Sequence, residues 1–164
     1  MAQLTDRGTV EHRVGDRRLW LRWGTAVLTA DLVVHNTAGV LVNDWEGWGV
    51  VAQTFVFVLV TGLVIVGVTF GLVVRPALRA TRIAGAGLGM GLASLAAYAL
   101  FFTWAPVLIA PAALLLGREG WRRARTPQER RLPAIGAALG VVSLAVFASF
   151  FIFMVFTGHY PLGL

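Results

Sequence analysis

Apolar positions in this chain come in long unbroken runs, without the alternation of a half-buried strand or the one-sided stripe of a surface helix. The first run extends from Trp20 to Val42 and the second from Trp48 to Val74, with the polar turn Asn43, Asp44, Trp45, Glu46 and Gly47 between them. A helix that crosses a hydrocarbon core of about 30 Å needs roughly 20 such residues. Each run is therefore read as one span, and the short turn makes the two an antiparallel hairpin. From Ile83 to Leu116 there follow 34 residues without a charge. As one straight helix they would reach about 51 Å, more than tilt absorbs.

A break is marked inside that stretch. Thr103, Trp104, Ala105 and Pro106 put an N-cap residue next to a helix-starting proline, and the residue before a proline disfavours helix. The reading is thus an all-α integral membrane protein, a compact bundle of five transmembrane helices in one domain covering residues 1–164. The spans fall at about 20–42, 48–74, 83–102, 104–121 and 132–157, the fourth kinkable at Pro111. The alternative has four helices, with 83–116 as one long or broken helix.

Composition agrees with the pattern: 57% of the 164 residues are hydrophobic and 13% charged, outside the range of a soluble globular domain. Charge then gives orientation. The net charge is +6, and every basic residue is Arg. They fall in three groups: before and just inside the first run (Arg7 to Arg22), after the second (Arg75, Arg79, Arg82), and from Arg118 to Arg131. Five spans bring all three groups to the cytoplasmic side, as the positive-inside rule requires, whereas four would export the densest. The N-terminus is expected in the cytoplasm and the C-terminus outside, in a bacterial cytoplasmic (inner) membrane. Confined to such flanks, the Arg residues fit anionic lipid of the inner leaflet and not nucleic acid. Trp20, Trp23 and Trp121 are expected at the inner headgroup level, and Trp45, Trp48 and Trp104 at the outer one.

Cysteine is absent, which excludes disulfides, thiolate metal sites and thiol redox relays. Residues 1–19 mix Asp6, Glu11 and Asp16 with Arg, unlike the leading segment of a cleavable signal.

Chemistry concentrates in the first span. Asp31 and His35 are four apart and share a helix face, with Thr25, Thr29, Asn36 and Thr37 nearby. A charged Asp at mid-membrane costs roughly 2.5–3.5 kcal/mol and must face the bundle interior, a cavity or a partner. Asp31, His35 and Asn36 are accordingly the candidates for a proton or ion site, or for a polar latch closed onto Ser94 or Tyr98. His159 lies past the fifth span. With His35, Asp44 and Glu46 it could make an outward metal site, or with His35 a haem ligand pair. No ligand spacing names a cofactor.

Glycine recurs at small-xxx-small spacing in Gly67/Gly71, Gly85/Gly89, Gly87/Gly91 and Gly136/Gly140, a pattern that lets helices approach closely. The Gly85 to Gly91 series lacks the register and the preceding strand of a phosphate loop. Phe147, Phe150, Phe151, Phe153 and Phe156 load the fifth span, for contact with lipid or a partner groove. No nucleophile stands beside a base, so the sequence leans away from an enzyme. Negligible aqueous segments, glycine ridges and an aromatic face point first to a non-catalytic subunit of a larger membrane complex, respiratory or transport in kind. Other membrane subunits or further copies of the chain are the partners expected. The alternatives are a small oligomeric transporter or channel coupled to protons or cations through Asp31 and His35, and a haem- or metal-binding redox subunit using His35 and His159.

Overall fold

The computed structural model describes residues 3–42, 48–79, 83–98 and 104–157, and its architecture is five helices with no strand among these residues. The first helix, α1 (Gln3–Val42), starts well ahead of the apolar run. At 1.5 Å per residue its 40 residues make about 60 Å of helix, so the charged segment before Trp20 continues the helix in place of a loose tail. α2 (Trp48–Val66) passes without interruption into wide π-helical turns (Gly67–Val74) and a last α-turn (Arg75–Arg79). The cause of the widening is Pro76. Its ring would strike the carbonyl four residues back in a regular helix. Opening the preceding turns relieves that clash, and the Arg75 N–H donates to the Phe70 carbonyl five residues back.

α3 (Ile83–Ala96), α4 (Ala105–Arg123) and α5 (Arg131–Thr157) follow. α3 and α4 lie antiparallel, with Ile83 beside Gly120 and Gly87 beside Gly117. The 83–116 stretch is therefore two helices, and the four-helix alternative is corrected: proline and the left-handed backbone of Trp104 (φ 52°) start α4 as a new element. α4 continues as one helix past Pro111 to Arg123. The connection to α5 is a tight turn in which Thr126 Oγ1 accepts from the Glu129 N–H and Glu129 Oε2 accepts from the Arg125 N–H.

α4 is the central helix. It is apolar on every side along its middle, and Leu108, Ala110, Ala112, Ala113, Leu115 and Leu116 are all buried, as expected for a helix surrounded by others. α3 and α5 pack against it and against each other, and the α1–α2 hairpin lies across it. The hairpin has its own contact, Val27 and Gly24 of α1 against Val66 and Phe70 of α2.

The glycine ridges divide into two kinds. A Cβ on Gly136 would stand 2.6 Å from the Gly87 carbonyl carbon, and one on Gly91 2.8 Å from the Gly136 oxygen. A Cβ on Gly140 would lie 3.0 Å from the Ala110 oxygen. Gly87, Gly91, Gly136 and Gly140 thus sit where backbone meets backbone, joined by Gly117, whose Cβ would be 2.8 Å from the Pro133 oxygen. Gly67, Gly71, Gly85 and Gly89 meet nothing within 4 Å.

The described basic residues gather at one end. Arg75 lies over the Trp20 ring at 5.8 Å, and Arg130 over Trp121 at 5.6 Å. Arg123 donates to the Leu78 carbonyl at 2.7 Å, tying the end of α4 to the end of the α2 continuation and satisfying a helix-terminal carbonyl.

The two glycine classes should separate on substitution. Gly136→Ala forces backbones apart and is expected to lose about 1–3 kcal/mol of stability, whereas Gly67→Ala should stay within about 0.5 kcal/mol of the parent. Denaturant titration followed by circular dichroism in detergent measures both, and equal effects would refute the division.

Candidate functional site

The i, i+4 spacing on α1 does what helix geometry dictates and brings the Asp31 and His35 side chains together. Both are buried, at 4% and 7% exposure. His35 Nδ1 stands 3.1 Å from the Asp31 main-chain oxygen and also 3.1 Å from Asp31 Oδ1. Only the main-chain oxygen is aligned for a hydrogen bond. A carbonyl can only accept, so Nδ1 carries the proton. In the neutral ring Nε2 is then a bare lone pair. Asp31 Oδ1 and His35 Nε2 are both buried, and no protein group among the described residues hydrogen-bonds to either.

These atoms belong to residues that line a small pocket, about 10 Å3, room for one water-sized particle. Phe57, Val58, Thr61 and Gly62 of α2 form the second wall, and Trp104 and Leu108 of α4 the third. Gly62 lies where α2 comes close to the Leu28 and Asp31 side chains of α1. A Cβ there would sit 2.8 Å from Leu28 Cδ1 and 3.4 Å from Asp31 Oδ2. The left-handed turn at Trp104 brings its indole onto the imidazole, with centroids 3.9 Å apart and ring planes at 70°. A non-glycine residue in that conformation costs of order 1–3 kcal/mol. Behind the indole, Phe147 of α5 packs at 4.9 Å and Phe151 at 6.3 Å. The aromatic load of α5 thus divides between Phe147 and Phe151, turned in to support Trp104, and Phe153 and Phe156, which are exposed.

Asn36 does not join the pocket. Its Nδ2 donates to the Leu32 carbonyl at 2.7 Å along α1. Thr25, Thr29 and Thr37 are exposed, on other faces of the helix from Asp31. The latch partners expected for the pair bond elsewhere: Ser94 Oγ donates to the Gly91 carbonyl at 2.8 Å, and the Tyr98 hydroxyl donates to the Ser143 carbonyl. Asp44, Glu46 and His159 lie outside the described residues. Among the described residues no three His, Cys, Asp or Glu side chains gather as a metal site would need.

Two members of the site escape sequence reasoning. Gly62 forms no small-residue ridge, and nothing in the sequence pairs Trp104, which is half-buried, with His35. The one available signal was Trp104 standing before Ala105 and Pro106, where the chain must change direction.

Compared with protein-family models, with curated proteins and with solved structures, the chain matches none.

His35→Ala removes the ring that covers the Asp31 carboxyl and supports Trp104. It is expected to lower stability by about 1–3 kcal/mol and to change the Trp104 emission. Denaturation in detergent read by tryptophan fluorescence gives both numbers, and an unaltered curve would mean that the pair adds nothing to the fold.

Proposed function

We propose that this chain is a multi-pass protein of the bacterial cytoplasmic membrane, that five helices span the bilayer, and that Asp31 with His35 forms the proton-binding centre of a small transporter or channel. Two helices, Val51–Arg79 and Arg131–Phe153, are long and apolar enough to cross a membrane. Most of their apolar surface is uncovered, including Leu72 at 71% and Phe153 at 61% exposure. In water such faces would drive aggregation, and hydrocarbon is the solvent that suits them. The gathering of Arg at one end supports the same reading, with that end cytoplasmic.

The observation that carries the functional reading is a pair of buried atoms, Asp31 Oδ1 and His35 Nε2, to which no group among the described residues hydrogen-bonds, on two residues that line a pocket between three helices. A polar latch would spend its hydrogen-bonding capacity on protein groups, because an unmet group in a dry interior is costly. Among the described residues, one acceptor on each side chain of this pair has no hydrogen-bond donor. With Nδ1 committed to the main chain, a proton enters at Nε2. The imidazolium so formed lies beside the carboxylate, and loading takes the pair from a net negative charge to a neutral ion pair.

A second reading, that the chain is a subunit of a larger assembly or associates with itself, is favoured by Gly67, Gly71, Gly85 and Gly89. These glycines meet no neighbour within the chain, and they offer ridges on which another helix can lie closely.

Each reading has a direct test. In vesicles loaded with a pH-sensitive dye, the parent protein should speed collapse of an imposed pH gradient, and Asp31→Asn should return the rate to that of protein-free vesicles. Flux unchanged by Asp31→Asn would remove the proton reading. For the second, the native mass of particles extracted in mild detergent should exceed that of one chain, and a bare monomer would count against it.

A further inference from the structure

We infer that the Arg-rich end carries a site for an anionic phospholipid, in which Arg75 and Arg79 hold the phosphate beside the Trp20 ring and the acyl chains lie on the apolar face of α2. This rests on the membrane reading above and is independent of the proton-site reading.

Charge at this end is not balanced by the described side chains. From residue 18 on, its carboxylates are Glu119 and Glu129. Glu119 Oε1 meets Arg122 Nη1 at 3.3 Å, and Glu129 Oε2 accepts from the Arg125 main-chain N–H at 2.7 Å. Both are thus engaged within α4 and the turn that follows it. Arg18 and Arg22 on α1, Arg75 and Arg79 at the end of α2, and Arg118 and Arg122 on α4 stand four apart in each pair, and all are exposed. Like charges at that spacing weaken a helix. Three such pairs at one end call for anions from outside these helices.

The surroundings of Arg75 select among anions. Its guanidinium lies 5.8 Å over the ring of Trp20, which is half-buried against the hydrophobic core. A guanidinium held over an indole keeps its N–H edge for a second partner, and no carboxylate among the described residues pairs with Arg75. Forked donors of this kind suit phosphate. The chain repeats the device at the start of α5, where Arg130 lies 5.6 Å over Trp121. Apolar surface adjoins both pairs: Val68 and Leu72 before Arg75, and Leu132 and Ile135 after Arg130, are exposed. A free phosphate would use the cations and leave those strips bare. A headgroup with hydrocarbon attached covers both, at the level where Trp and Arg meet the bilayer surface.

Purified full-length protein in uncharged detergent is supplied with phosphatidylglycerol, phosphatidylcholine or inorganic phosphate at fixed ionic strength, and thermal unfolding is followed by circular dichroism. The inference expects phosphatidylglycerol to raise the midpoint in a saturating way and the other two to leave it in place. Arg75→Gln should raise the lipid fraction needed for half of that rise by about fivefold, the effect of one basic residue at an anionic surface. Arg79→Gln is an independent variant expected to act in the same direction. Arg122→Gln, whose arginine already meets Glu119, should act by less than about twofold. An equal response to phosphatidylcholine or to phosphate overturns the inference. So do equal losses in Arg75→Gln and Arg122→Gln, because diffuse attraction would count every arginine alike. If phosphatidylglycerol has no effect on a protein that resists alkaline extraction from vesicles, the lipid site falls alone. Release of the protein by alkali takes the membrane reading with it.

Discussion

Backbone-to-backbone contact among α3, α4 and α5 is the constraint on which the rest of the bundle depends. In lipid, where we propose that the bundle lies, an apolar side chain gains little by moving from hydrocarbon to a helix interface, so association there would have to come from closeness of packing and from internal hydrogen bonds. Gly87, Gly91, Gly117, Gly136 and Gly140 provide that closeness, because a Cβ at each would press on atoms of the neighbouring helix at 2.6–3.3 Å. Tyr98 and Ser143 add a hydrogen bond between α3 and α5 in the same group of helices. Once α4 is held in this way, the place and direction of its first residue, Trp104, are fixed as well.

The α1–α2 hairpin is attached differently. Its contacts with α4 run through side chains such as Val27, Phe70, Val74 and Leu108, and side chains of unequal size leave gaps where backbones in contact would not. The pocket lies in this seam, where the carboxyl and the imidazole of α1 face α2 and the start of α4. A polar pair buried among the glycines of the other three helices would have had neither room nor any means of altering its surroundings. The seam between a tightly held group and a more loosely held one supplies both.

The sequence made the number of helices legible, since run length against bilayer thickness and the Trp104–Pro106 break are local signals. It also made the Asp31–His35 pairing legible, because four-residue spacing on a helix leaves little choice. It could not say which glycine ridges face inward. Gly67/Gly71 and Gly87/Gly91 have the same spacing in equally apolar helices, and only the rotation of each helix, set by its neighbours, decides that one pair is open and the other closed. The helical course of residues 3–19 was hidden by their charge, which speaks about solvent and leaves backbone conformation undetermined. Nor could it show the Trp104 ring on His35, because a general preference of Trp for the headgroup region carries no knowledge of a left-handed backbone that turns the ring inward.

That left-handed residue and the buried carboxyl are two separate local costs, one of backbone strain at about 1–3 kcal/mol and one of burying an ionisable group at roughly 2.5–3.5 kcal/mol. They converge on one point, with the Trp104 ring in contact with His35 and His35 in contact with Asp31. A fold that needed only packing could relieve both at once, with glycine at 104 and a leucine at 31, and lose nothing that the glycine contacts among α3, α4 and α5 do not already provide. Strain and buried polarity thus share one location, next to a pocket lined on three sides by different helices.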